Sequence, residues 1–152
     1  MKATTIDAIT LLSADHREVS ELFAQYAALD EGATSKKKLL ADDICLALTL
    51  HAMVEEEIFY PALRAAARDA AGLLDAAEVE HASARELIAQ LQQMDPDDEL
   101  FDATVKVLGE QIAHHAHEEE TGLFPQAKQA GIDLVALADD MLGRKEELST
   151  SL

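Results

Sequence analysis

Aromatic side chains are scarce in this chain, with no Trp, 2 Tyr and 4 Phe, and helix-breaking residues are equally few, at 3 Pro and 6 Gly. That composition favours helix over sheet. The single cysteine, Cys45, excludes an internal disulfide, and within a predicted helix it reads as a small core residue rather than a nucleophile. Positive charge is also in short supply: 12 Lys and Arg face 30 Asp and Glu, a formal net charge of -18. Such a surface repels phosphate backbones and anionic lipids, so nucleic-acid and membrane partners are not expected. Long apolar runs are missing too. The opening MKATTIDAITLLSADH is interrupted by Asp7 and Asp15, reads as neither signal peptide nor spanning helix, and leads to the expectation of a cytoplasmic protein. Serine-nucleophile and phosphate-cradling motifs are lacking.

What is present is Ala and Leu in quantity, in a chain that is 49% apolar over 152 residues, enough for one hydrophobic core. A single domain spanning residues 1–152 is expected. Apolar residues at helical spacing predict a helix from about Thr5 to Leu29 carrying Ile9, Leu12, Val19 and Phe23. A second starts near Ser35 as its cap, carries Leu40, Ile44, Leu48 and Ile58, and is kinked or ended near Pro61. The third spans about Leu73 to Met94 and closes at Asp95-Pro96-Asp97-Asp98. The fourth presents Phe101, Val105, Leu108 and Ile112, passes Pro125 and ends near Gly131; a shorter fifth covers Asp133 to Leu148. Long amphipathic helices on short loops pack most simply as an all-α, up-down-up-down antiparallel four-helix bundle, about residues 5–130, with the extra C-terminal helix laid against it.

A weak repeat stands out in this pattern. HAMVEEEIFYP (His51 to Pro61) and HAHEEETGLFP (His115 to Pro125) share one chemical plan, in which a His is followed four residues later by a Glu. On a helix the two lie on one face, one turn apart. The three-four alternation shows which face: Ile44, Leu48, His51, Glu55 on the second helix, and Leu108, Ile112, His115, Glu119 on the fourth. The first helix places His16 between Leu12 and Val19, and the third places His81 between Ala77 and Ala84. Each of the four helices thus sends a His inward.

A lone core His is ordinarily a hydrogen-bonded packing residue. Four of them with two core carboxylates are another matter, because burying an ionised carboxylate costs several kcal/mol unless positive charge compensates it, on the order of that for each ion. No Lys or Arg lies on these stripes. Metal cations would supply the charge, and imidazole with carboxylate suits iron, manganese or zinc better than calcium or magnesium. Two carboxylates bridging a pair of ions leave two His for each, so a dinuclear site fits the ligand count.

A His on the first helix, H-x-x-x-E on the second, a His on the third and H-x-x-x-E on the fourth, each H-x-x-x-E running into an aromatic-Pro pair, resemble the hemerythrin-like (HHE cation-binding) family over roughly Ile6 to Gln129. The resemblance implies a cofactor of two non-haem iron ions (Fe2+/Fe3+) with a bridging oxo or hydroxo group. The terminal ligands would be His16, His51, His81 and His115, and the bridging carboxylates Glu55 and Glu119. It also implies a small diatomic or peroxide as ligand: dioxygen or nitric oxide in sensing or storage, or peroxide in detoxification. Oxidase- or peroxidase-like turnover, iron buffering or delivery, and repair of iron-sulfur centres are the alternatives, in a monomer or homodimer.

The sequence departs from the oxygen carriers of that family on the third helix. Those carry two His one turn apart, whereas the positions four either side of His81 are Ala77 and Arg85. One iron loses a ligand, which favours sensing, peroxide or iron-handling members over reversible oxygen storage. Glu78 could fill the gap but reads as a solvated residue, and Tyr60 beside Pro61 reads as an aromatic packing residue. His114 and His117 read as surface or supporting residues, although His114 and Glu118 repeat the four-residue spacing.

Overall fold

A computed structural model describes residues 6–151, and every regular element in them is helical. Asp7 opens α1 (Ala8–Ala27) by accepting the Thr10 N–H at 2.8 Å. A short turn then leads to α2 (Thr34–Val54), which follows Ala33 without a side-chain cap, so Ser35 is a residue of the first turn and not the cap.

Beyond α2 the helix continues through a π turn, Glu55–Phe59, into α3 (Tyr60–Ala66). Pro61 explains the turn. It has no N–H to offer, its ring crowds the carbonyl four residues back, and the preceding Tyr60 N–H bonds to the Glu55 carbonyl five residues back. A 3-10 turn (Arg68–Ala70) leads into α4 (Ala71–Gln93), and α5 (Phe101–Glu118) runs through a second π turn, Glu119–Leu123, into α6 (Phe124–Gln129) with Pro125 in the same place. Gly131, at φ +72°, supplies the left-handed residue that stops this helix. Asp133 then accepts the Ala136 N–H at 3.0 Å to start α7 (Leu134–Ser151).

The rods α1, α2–α3, α4 and α5–α6 close a four-membered ring, and α7 lies against α1, α2 and the first π turn. This is the expected antiparallel bundle with one added helix. Its core is not continuous. One apolar cluster gathers Leu12, Val54, Phe59, Leu63, Leu74, Phe124 and Met141; another gathers Val19, Ile44, Leu48, Ile88, Leu91, Phe101 and Leu108. Each fully buried side chain of this size contributes about 1.5–3 kcal/mol. Between the clusters runs a buried polar layer. The far cluster carries one further buried charge, Lys37, whose Nζ donates to Asp102 Oδ2 at 3.0 Å and to the Glu31 carbonyl at 3.1 Å, with the Tyr26 hydroxyl also on Asp102.

The π turns shift the inward stripe by one residue. After Glu55 the buried positions are Phe59, Tyr60 and Leu63, and Ile58 is only half-buried, contrary to the simple three-four extrapolation. No helix among the described residues is long and apolar enough to cross a membrane.

Candidate metal centre

The polar layer consists of His51, Glu55, His81, His115 and Glu119, all buried, with His16 at 10% side-chain exposure. The six residues that the helical stripes single out come together from α1, α2, α4, α5 and the starts of both π turns. Their imidazole Nε2 atoms and carboxylate oxygens face one another. Glu55 Oε1 lies 3.3 Å from His51 Nε2 and 3.2 Å from His81 Nε2. Glu119 Oε1 lies 3.0 Å from His16 Nε2, and its Oε2 lies 3.5 Å from His115 Nε2. Each carboxylate therefore spans from the His16–His51 pair to the His81–His115 pair.

A seventh group joins them. The Tyr60 hydroxyl donates to Glu119 Oε2 and, at 3.1 Å, to Glu55 Oε1, and sits 3.2 Å from His81 Nε2 and 3.3 Å from His115 Nε2. The packing role expected for Tyr60 is thus incomplete: its ring packs in the core and its oxygen is a member of the cluster. The π turn is the reason, since the one-residue shift turns position 60 inward. Phe124 occupies the same place after the second π turn and stacks on the His16 ring at 5.9 Å. Glu78 is exposed and pairs with Arg64 at 3.6 Å, away from the layer.

The outer ring nitrogens are held by carboxylates, two of which, Asp15 and Glu80, sequence reasoning did not reach. His51 Nδ1 meets Asp15 Oδ2 at 2.9 Å, His81 Nδ1 meets Glu56 Oε2 at 2.8 Å, and His115 Nδ1 meets Glu80 Oε1 at 2.6 Å. Each carboxylate comes from the preceding rod of the ring and is adjacent in sequence to a member of the cluster. Neighbours along a helix are rotated by about 100°, so the residue beside an inward one points at the next helix. The fourth such position, Glu120, reaches only to 3.7 Å from His16 Nδ1, which is left without a hydrogen bond. A carboxylate on Nδ1 sets the tautomer that leaves Nε2 free as a lone-pair donor and raises its basicity.

The electrostatics match this crowding. Burial works against charge on Glu55, but His51 and its hydrogen-bonding neighbours outweigh it and hold the carboxyl well below the usual range. Burial likewise opposes charge on His51, His81 and His115. Glu55 and Asp15 nonetheless raise His51 well above its ordinary value, Glu55 and Glu56 raise His81, and Glu119 with its neighbours raises His115 to about 9. Burial and the two facing carboxylates push the Tyr60 phenol far up. Cys45, buried in the far cluster, has its thiol raised to about 11 by burial and Asp42, as befits an inert core residue.

The donor set fits a metal pair. Two nitrogens bound at about 2.1 Å to one ion at right angles lie about 3 Å apart, and His81 Nε2 and His115 Nε2 are 3.1 Å apart. Among the described residues His16, His51, Glu55 and Glu119 converge as one set of donors and Glu55, His81 and His115 as another, with Glu55 common to both. His51 Nε2 and Glu55 Oε2 are buried without a hydrogen bond, which is costly and would be relieved by a cation. On the side of the far cluster, a largely apolar cavity of about 1150 Å³ reaches all four imidazoles, walled by Val19, Leu48, Ile88 and Ile112.

Comparison with known proteins agrees. Residues 7–127 match the family described as the hemerythrin HHE cation-binding domain. Among solved structures the chain is similar to a hemerythrin HHE cation-binding domain-containing protein from Mycobacterium kansasii. The TM-score is 0.83 and the sequence identity 22%, over 96% of this chain and 89% of that one, a likeness of fold. No curated protein matches the chain.

Proposed function

This chain belongs to the hemerythrin HHE cation-binding family, and from that premise we propose that it is a single-domain non-haem diiron protein that binds dioxygen, nitric oxide or peroxide. The observation that carries the reading is the convergence of four imidazoles, two spanning carboxylates and a phenol on one buried layer. His16 and His51 would hold one ion, and His81 and His115 the other, with Glu55 and Glu119 shared between them. Two iron ions would supply the electrons for small-molecule binding, a job no side chain here can do. The protein's own residues supply the rest. Asp15, Glu56 and Glu80 fix the rings through Nδ1, and the largely apolar cavity gives a small molecule a way to the imidazoles.

Tyr60 favours a second reading, peroxidase- or oxidase-like turnover. Its oxygen is the donor that α4 does not provide, because Ala77, one turn before His81, is a small buried residue in the same cluster as Tyr60. It brings an O–H to the His81–His115 pair, where it can act as a seventh donor or keep a proton at Oη. Metal analysis of the purified protein, with absorption spectra before and after reduction, tests the proposal. Its ligand set leads to about two irons per chain and a visible band that bleaches on reduction. A colourless protein that ignores ferrous iron under anaerobic loading ends it. Steady-state loss of peroxide separates the two readings, since a carrier or sensor binds without turnover.

A further inference from the structure

Among the described residues three sets of His and carboxylate donors converge closely enough for one ion; two are the halves of the buried layer and the third is on the surface. It consists of Glu80 on α4 with His114 and Glu118 on α5. Helix geometry fixes half of it: His114 and Glu118 are one turn apart, and His114 Nε2 lies 3.0 Å from Glu118 Oε1. Glu80 comes from the neighbouring helix and is already aimed. Its Oε1 is anchored on His115 Nδ1 at 2.6 Å, which leaves Oε2 facing His114 Nε2 at 3.9 Å.

An i,i+4 His–Glu contact alone would be an ordinary solvated contact. Two further observations set this one apart. A third donor arrives from a different helix, so that all three ligand atoms lie within 4.8 Å of one another. The cluster also lies at the margin of the large cavity, where Glu80 and His114 are lining residues together with His115. Its exposure is graded, from 66% for the His114 side chain to 29% for Glu80 and 9% for His115.

We propose that Glu80, His114 and Glu118 form a third cation site, which captures a divalent first-row metal such as Fe2+ or Mn2+ from solution and hands it to the buried pair. One imidazole and two carboxylates on one side of an ion, with water on the other, suit these metals and hold them loosely enough to release them. The formal charge of -18 draws cations to the surface in general; this cluster gives them a place next to the cavity. Glu80 links the two sites, since one of its oxygens takes the surface ion while the other holds the ring of His115. The hand-over rests on the buried layer being a metal centre, whereas the surface site stands on its own geometry.

The test uses the full chain and the exposed variants His114→Ala and Glu118→Gln. Iron-loaded wild type is titrated with Mn2+, and unbound Mn2+ is followed by its electron paramagnetic resonance signal. One extra Mn2+ is expected to bind to wild type, with affinity weakened at least roughly tenfold in either variant. In a second arm, metal-free protein takes up limiting Fe2+ anaerobically. Both variants are expected to load several times more slowly than wild type while reaching the same final iron content. Mn2+ binding that is the same in all three proteins, or equal loading rates, overturns the proposal. Failure of the buried centre looks different, because wild type and variants alike would then retain no iron. That result ends the hand-over and leaves the Mn2+ titration, on the metal-free protein, to decide the surface site.

Discussion

The two halves of the buried layer come from matching pieces of sequence and differ in how completely they are satisfied. In the His81–His115 half, both Nδ1 atoms are clamped by carboxylates, and the Tyr60 hydroxyl reaches both Nε2 atoms. In the His16–His51 half, His16 Nδ1 and His51 Nε2 have no hydrogen bond, and Phe124 stands where the other half has a phenol. A repeat that makes similar backbones, with a π turn before each Pro, thus makes two unlike groups of candidate metal donors. The position beside Tyr60 has an additional oxygen donor and a proton. The position beside Phe124 has neither. One part of the asymmetry lies in a single atom, the Tyr60 oxygen, which makes it testable.

The largest effect is expected where the halves are joined. Glu119 reaches His16 through one oxygen and His115 and Tyr60 through the other, so Glu119→Ala strips both at once. Metal content should fall below about one ion per chain. The metal-free protein should also lose about 3–5 kcal/mol, the usual cost of leaving one member of a buried ion pair alone. Metal analysis and chemical unfolding of the stripped protein check both; retention of a full metal complement would mean that Glu119 does not link the halves.

Tyr60→Phe comes next, because it removes the largest chemical difference between the two halves. The ring remains to fill the core, and only the oxygen leaves, so two metals should still bind. The metal-free protein should lose about 1–3 kcal/mol as buried acceptors on Glu119 and Glu55 lose a donor. If the phenol is a donor to iron, the visible spectrum of the loaded variant must differ from that of wild type, since a phenolate contributes its own charge-transfer absorption. An unchanged spectrum would confine Tyr60 to hydrogen bonding.

Tyr60 also marks the limit of what the sequence makes legible. The helices, their order and the six inward His and Glu residues follow from the three-four alternation, because a polar residue inside an apolar stripe is conspicuous. That alternation fails at the π turns, where hydrogen bonding passes to five residues back and the inward stripe moves from Ile58 to Phe59 and Tyr60. The Pro at the same offset in both repeats was the available signal. Asp15 and Glu80 escape notice for a different reason: in a chain with 30 acidic residues, a carboxylate is not informative by itself. What distinguishes these two is the His that follows each of them immediately, and only the packing of neighbouring rods reveals which ring each one holds.

The smallest expected effects probe the support behind one half only. Asp15 holds His51 with one oxygen and receives Lys145 of α7 at 3.0 Å on the other, and those two contacts outweigh the cost of burial and keep its carboxyl below the usual range. Asp15→Asn should weaken the hold of the His16–His51 half on its ion by roughly tenfold or more, the usual cost of losing such a partner. The other half, braced by Glu56 and Glu80, should keep its affinity. Lys145→Ala should do the same to a lesser degree, because the half-exposed lysine only steadies Asp15 and is worth at most about 1 kcal/mol to the fold. Stepwise removal of iron by a competing chelator resolves the two ions. One equivalent leaving early in both variants, earlier in Asp15→Asn, is the expected pattern, and it makes α7 a brace for a single metal position. Equal loosening of both equivalents would mean that the halves share their support and that the asymmetry goes no further than Tyr60.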